Sequence, residues 1–145
     1  MKRFEDYYQR EMELEEKYEA VKEDEAEAEK IRAEYKAMCD EINAEGDIFV
    51  AVHRLYKSMK DRGNTYIDID EPYMTRKVPE LIAAFREYGI QFFTFSSTWS
   101  GAAETAWEFT KNGCTLSGMI ELNDKTKGFM NDEYEKIHGY LFRTM

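Results

Sequence analysis

Apolar residues are spaced in different ways along this chain, and each spacing predicts a different element. Residues 90–95, IQFFTF, are apolar on both faces of an extended chain: Ile90 and Phe92 point one way, Phe93 and Phe95 the other. A strand covered on both sides belongs inside a sheet. Small polar residues follow in 96–101, where the chain turns into a helix reaching about residue 112. Ser100 stands where an N-cap is needed, and Gly113 suits the left-handed residue beyond the helix.

Upstream, Ile48, Phe49, Val52, Leu55, Tyr56 and Met59 form one stripe at helical spacing, which predicts a helix over 47–62 that starts at Asp47 and stops at Gly63-Asn64. Residues 65–70 alternate instead. Ile67 and Ile69 face inward and Tyr66, Asp68 and Asp70 outward, the mark of a half-exposed strand that Glu71-Pro72 breaks. Pro79 opens a further helix through about residue 88, with Val78, Leu81, Ile82 and Phe85 buried and Gly89 closing it. A third strand is expected over 114–122 with Leu116, Ile120 and Leu122 on one side, then a polar connection over 123–131, then a last strand over 138–144.

The order strand, helix, strand, helix, strand implies right-handed crossovers and mainly parallel neighbours, with the last strand antiparallel at an edge. The expected fold class is therefore α/β: a small, mainly parallel or mixed four-stranded sheet with flanking helices, preceded by a long acidic N-terminal helix. The division expected is an arm over 1–45 and an α/β domain over 46–145.

The arm follows from what it lacks. Residues 3–44 hold no Gly and no Pro and are rich in strong helix formers, so one helix of about 60 Å is expected, ended by Gly46. One heptad position is apolar throughout: Tyr7, Leu14, Val21, Ala28, Tyr35, Ile42. A coiled-coil seam needs two, and the second is present only near the end, where Ile31, Tyr35, Met38 and Ile42 come together. Those four are the expected self-association surface, docking on the domain or on a twin helix.

Charge sharpens the contrast between the two parts. Residues 1–46 carry 16 acids against 8 bases, a net −8, whereas the remaining 99 residues carry 14 against 12. Such an arm disfavours naked nucleic acid and anionic membranes and favours a basic protein surface. Glu11, Glu15, Glu19, Glu23 and Glu27 recur every fourth residue, with Glu16 among those between. Each step advances about 6 Å, so the ladder matches roughly every second phosphate of a nucleic-acid strand while drifting around the helix. No apolar run approaches the ~20 residues of a membrane span, no signal peptide precedes Met1-Lys2-Arg3, and Cys39 and Cys114 lie far apart. Together these point to a cytoplasmic protein without a disulfide framework.

Candidate chemistry is sparse. Ser96, Ser97, Thr98, Ser100 and Gly101 sit between a central strand and a helix, where open α/β sheets bind ligands and helix ends attract anions. The turn lacks the glycines and lysine of a phosphate loop, so helix capping is the plainer account of its hydroxyls. His53, His138 and Cys114 share no motif, and a buried structural cysteine is the commoner case. Asp68 and Asp70 share a strand face but have no histidine or further acid cluster beside them. Trp99 and Trp107 suit packing better than stacking on a ligand. No catalytic residue, metal or cofactor is expected.

The run FTFSSTWSGAAETAWEFTKNGCTLSGMIELN and the closing YEKIHGYLF resemble a family of small acidic proteins of unknown function carried on mobile elements of gut Firmicutes. The similarity covers residues 64–145. It implies a role in host-defence conflict or element maintenance, the setting of inhibitors of CRISPR nucleases and restriction enzymes. The expectation is a non-enzymatic acidic binder, a nucleic-acid mimic facing a basic nuclease. The alternatives are a scaffold that dimerises through its N-terminal helix, and a small-anion binder at the 96–101 turn.

Overall fold

The computed structural model describes residues 1–71, 77–98, 100–130 and 132–145. Pro72 as strand breaker, Trp99 in the turn and Asn131 at the end of the polar connection lie outside the described residues. The chain forms two compact units, Met1–His53 and Arg54–Met145. No helix among the described residues is long and apolar enough to cross a membrane.

The first unit holds α1 (Lys2–Val21), α2 (Glu25–Ala44) and the start of α3 (Asp47–Arg62). A long acidic N-terminal helix is present, but it does not continue to residue 44. Lys22 and Glu23 form a turn, and Asp24 takes extended backbone angles (φ −101°, ψ 101°), with its side chain accepting from the backbone N–H of Glu27 at 3.3 Å. An aspartate is a strong N-cap, so a helix restarts there without Gly or Pro. The physical gain is burial. A straight rod leaves the apolar stripe in water, whereas the hairpin buries Phe4, Leu14, Ala28, Met38 and Ile42 to 8% exposure or less. Phe4 stacks on Phe49 of α3, with ring centroids 4.6 Å apart.

The second unit holds the rest of α3, β1 (Ile67–Ile69), α4 (Val78–Glu87), β2 (Phe92–Phe95), α5 (Ala102–Lys111), β3 (Thr115–Lys127) and β4 (Tyr134–Arg143). Four strands form one sheet in the order β1-β2-β4-β3. The fold is α/β with a mixed sheet: β1 and β2 are parallel, and β4 is antiparallel to both β2 and β3. The last strand is thus antiparallel as expected but interior, and β3 takes the edge. The short connection from β3 to β4 accounts for their antiparallel pairing, and the pairing of β2 with β4 leaves β3 at the edge.

Several boundaries move for local reasons. Residues 123–127, expected in a loop, extend β3, and only 128–133 separate the strands. Leu116 is 55% exposed and does not share the side of buried Leu122, because a bulge shifts the register between Leu116 and Gly118. Strand β2 begins at Phe92, two residues later than expected, although Ile90 is buried. Strand β1 is shorter than 65–70, and all three of its residues are buried, Asp68 included.

Phe93 explains why β2 lies inside. Its ring meets Phe85 of α4 at 5.3 Å, Phe109 of α5 at 5.0 Å and Phe142 of β4 at 5.5 Å. Alternation puts Phe93 and Phe95 on the helix-covered face and Thr94 on the other. That hydroxyl meets Asp68 of β1 at 2.7 Å.

Candidate functional site

The hairpin of the first unit concentrates negative charge. Six of its cations are engaged within it: Arg3 with Glu45, Arg10 with Glu41, Lys22 with Glu19, Lys30 with Glu27, Arg32 with Glu25 and Glu29, and Lys36 with Asp40. Glu15, Glu16 and Glu23 enter no such pair and are exposed. Of the fourfold ladder, Glu15 and Glu19 remain exposed on α1, Glu23 sits in the turn and Glu27 moves to α2. Glu11 departs from expectation. It is 7% exposed and accepts from the Tyr35 hydroxyl at 3.4 Å, so it belongs to the hairpin interior and offers no outward charge.

The four residues expected to drive self-association divide. Met38 and Ile42 are buried within the unit, at 2% and 7% exposure, so the hairpin itself consumes them. Ile31 is half-buried and Tyr35 exposed. With Leu14 and Tyr18 they line a groove of about 440 Å3 between α1 and α2, edged by Glu15, Glu19 and Arg32.

At the carboxyl end of β2 the structure brings together a cluster that sequence reasoning missed. Asp68 of β1 accepts from Thr94 Oγ1 at 2.7 Å and from Ser96 Oγ at 2.6 Å. Arg62, at the end of α3, places Nη2 3.5 Å from Asp68 Oδ2, and the two side chains are 3% and 0% exposed. Burial pushes the Asp68 carboxyl above its usual range, outweighing the two hydroxyls and Arg62, which favour the charged form. Arg62 Nη1 also donates to the Asn123 carbonyl at 3.2 Å. Asn64 clasps the same residue of β3, donating to its carbonyl at 3.0 Å and accepting from its N–H at 2.8 Å. This cluster ties the end of α3 to the sheet. Asp68 was expected to be solvated, and Thr94 amid aromatics was the available signal that a buried polar partner faces it.

The cluster engages the first residue of the 96–101 stretch. Ser96 gives its hydroxyl to Asp68, and its backbone N–H goes to the Ile69 carbonyl at 3.0 Å, so neither points at a ligand. Ser97 has a partner as well, while Thr98 and Ser100 are exposed. Ser100 is not the cap. Gly101 is, with φ 92° and no side-chain cap bond, so α5 begins from a left-handed residue that only glycine adopts readily. The cleft beside Thr94, Leu122 and Asn123 measures about 170 Å3, below the usual ~300 Å3 of small-molecule pockets.

The remaining candidates lie apart. Cys114 is buried, and burial pushes its thiol up, away from the nucleophilic thiolate. It precedes Thr115, which pairs with Arg143, whereas His138 stands five residues earlier on β4, about 17 Å away along the strand. His53 is buried beside Phe4 and Tyr7 in the first unit. Asp70 pairs with Lys125 at 3.5 Å. Trp107 is 62% exposed on α5 rather than packed in the core. Among the described residues no three His, Cys, Asp or Glu side chains form a group that could hold a metal.

Residues 51–144 match the family described as a domain of unknown function, DUF7698, and the chain belongs to it. The match starts within α3, earlier than the resemblance over 64–145, and so takes in Arg62. No curated protein and no solved structure matches the chain.

Proposed function

Taking that membership as the premise, we propose that this chain is a non-enzymatic binding protein whose acidic hairpin occupies the basic nucleic-acid channel of another protein. The observation that carries the reading is linear charge density. Spread along a rod of about 60 Å, the −8 of residues 1–46 gives one net charge per roughly 7.5 Å. Folded into two 20-residue helices side by side, the same charge occupies about 30 Å, one per roughly 4 Å. A nucleic-acid strand carries one phosphate per about 3.4 Å of axis.

Glu15, Glu16, Glu19 and Glu23 are the residues assigned to partner contact. The partner is a basic nuclease, and the setting is that of inhibitors carried by mobile elements of the anti-CRISPR or anti-restriction type, acting in the cytoplasm. The family domain, with its buried Arg62–Asp68 cluster, is the platform. The test is competition: the protein is added to purified RNA-guided nucleases and restriction enzymes with labelled duplex DNA. The reading expects displacement of DNA by the wild-type chain and none by Glu15, Glu16, Glu19 and Glu23→Gln. Protein and DNA bound together on every enzyme would refute it.

A further inference from the structure

The hairpin is packed unevenly along its length. Near its base, Phe49 and His53 of α3 lie against Phe4 and Tyr7, with ring centroids 4.6–6.3 Å apart. Toward the turn, the groove between α1 and α2 is lined, among the described residues, by those two helices: Leu14 and Tyr18 on one, Ile31 and Tyr35 on the other. Each pair is spaced i, i+4, so the apolar lining forms two short parallel ridges. A two-helix layer with an open groove is completed most simply by a third helix, whose axis lies 8–10 Å from its neighbours.

Charge chooses the occupant. Among the described residues the groove has one cation, Arg32, which is held by Glu25 at 3.0 Å and Glu29 at 2.9 Å and lies over the Tyr18 ring at 5.7 Å. Glu19 is held by Lys22 at 2.9 Å, while Glu15 lines the groove with no ion-pair partner among the described residues. A second copy would bring another hairpin of net −8 against this rim, and like charges at close approach repel. A basic helix is attracted by the same field.

We propose that the groove receives the apolar face of a basic amphipathic helix on the partner protein, with a leucine-sized or aromatic anchor seated among Leu14, Tyr18, Ile31 and Tyr35. This rests on the acidic-hairpin reading and adds helix-in-groove recognition to it. Charge brings the partner in, and the groove distinguishes a helix with an apolar stripe from any other basic surface.

The experiment uses the full chain and two labelled probes of about 18 residues, five helical turns. One is an amphipathic leucine–lysine helix, and the other an oligolysine-type peptide of equal charge without the apolar face. Fluorescence anisotropy at physiological salt is expected to show at least tenfold tighter binding of the amphipathic probe, about 1.4 kcal/mol. Ile31→Ser and Ile31→Trp, at a half-exposed position, are expected to abolish that preference while leaving the oligolysine affinity unchanged. Equal binding of the two probes by the wild-type chain, or a preference that survives both substitutions, overturns the proposal. A concentration-dependent dimer dispersed by Ile31→Ser also overturns it. Failure of the acidic-hairpin reading shows separately, as oligolysine binding unaffected by Glu15, Glu16, Glu19 and Glu23→Gln.

Discussion

Arg10 and Glu41, 31 residues apart in sequence, meet at 2.6 Å. In one continuous helix they would stand about 46 Å apart. The pair fixes the direction of α2 against α1 without supplying much stability, since both side chains are roughly half exposed and such bridges contribute about 0–1 kcal/mol. Burial holds the hairpin instead. Met38→Ala is expected to cost about 2–5 kcal/mol, Asp24→Ala about 1 kcal/mol through loss of the cap, and Glu41→Gln less than about 1 kcal/mol. Urea unfolding of the three variants tests that ranking.

Asp68 sits between two hydroxyls and a buried guanidinium. Asp68→Ala leaves Arg62 without its carboxylate and is expected to destabilise the fold by about 3–5 kcal/mol. The carboxyl is raised in the folded state, so the folded chain holds its proton more tightly than the unfolded chain does. Stability from this group therefore falls as pH rises from the usual 3.8 through the higher folded value, and is level above it. The difference in unfolding free energy between wild type and Asp68→Asn, followed against pH, should decline across that window.

Gly139 of β4 lies close against Leu122, Phe95 and Ser96. A Cβ there would stand 2.8 Å from Leu122 Cδ2, 3.3 Å from the Phe95 carbonyl and 3.5 Å from Ser96 Cβ. The leucine tip can yield, but the strand carbonyl has little freedom. Gly139→Ala is expected to cost about 1–3 kcal/mol by overpacking, measured as a lowered urea midpoint.

The start of α5 separates two accounts of the 96–101 turn. With Gly101 as a left-handed cap, Gly101→Ala is expected to cost about 1–3 kcal/mol, whereas Ser100→Ala should stay within about 0.5 kcal/mol. Equal losses in the thermal melts of the two variants would return the capping role to Ser100.

What could be read from sequence follows from which forces act locally. The apolar stripes of α3 and α4 and the doubly apolar Phe92–Phe95 stretch reported burial directly, and with it the four-stranded α/β fold. The break at residues 22–24 was hidden because no Gly or Pro marks it, and its only sign is the Asp24 cap placed three residues before Glu27. Strand order was hidden for another reason. A polar run at 123–127 reads as a loop, yet edge strands tolerate polar residues on both faces, and β4 lies inside because it pairs with β2 as well as β3. Of the site residues, exposed Glu15, Glu16 and Glu23 were legible as surface charge. Glu11 was not, because whether a glutamate on a stripe faces inward depends on the helix folded against it. Asp68 was misread because alternation indicates a side, and that side carries a buried arginine rather than water.

The central claim is that the hairpin's charge is the working surface. Its most direct measurement is affinity for a basic nuclease as a function of salt, for the wild-type chain and for Glu15, Glu16, Glu19 and Glu23→Gln. The account predicts steep weakening with salt for the wild type, and a weaker, flatter dependence for the variant. Identical affinities and slopes for the two proteins would contradict it.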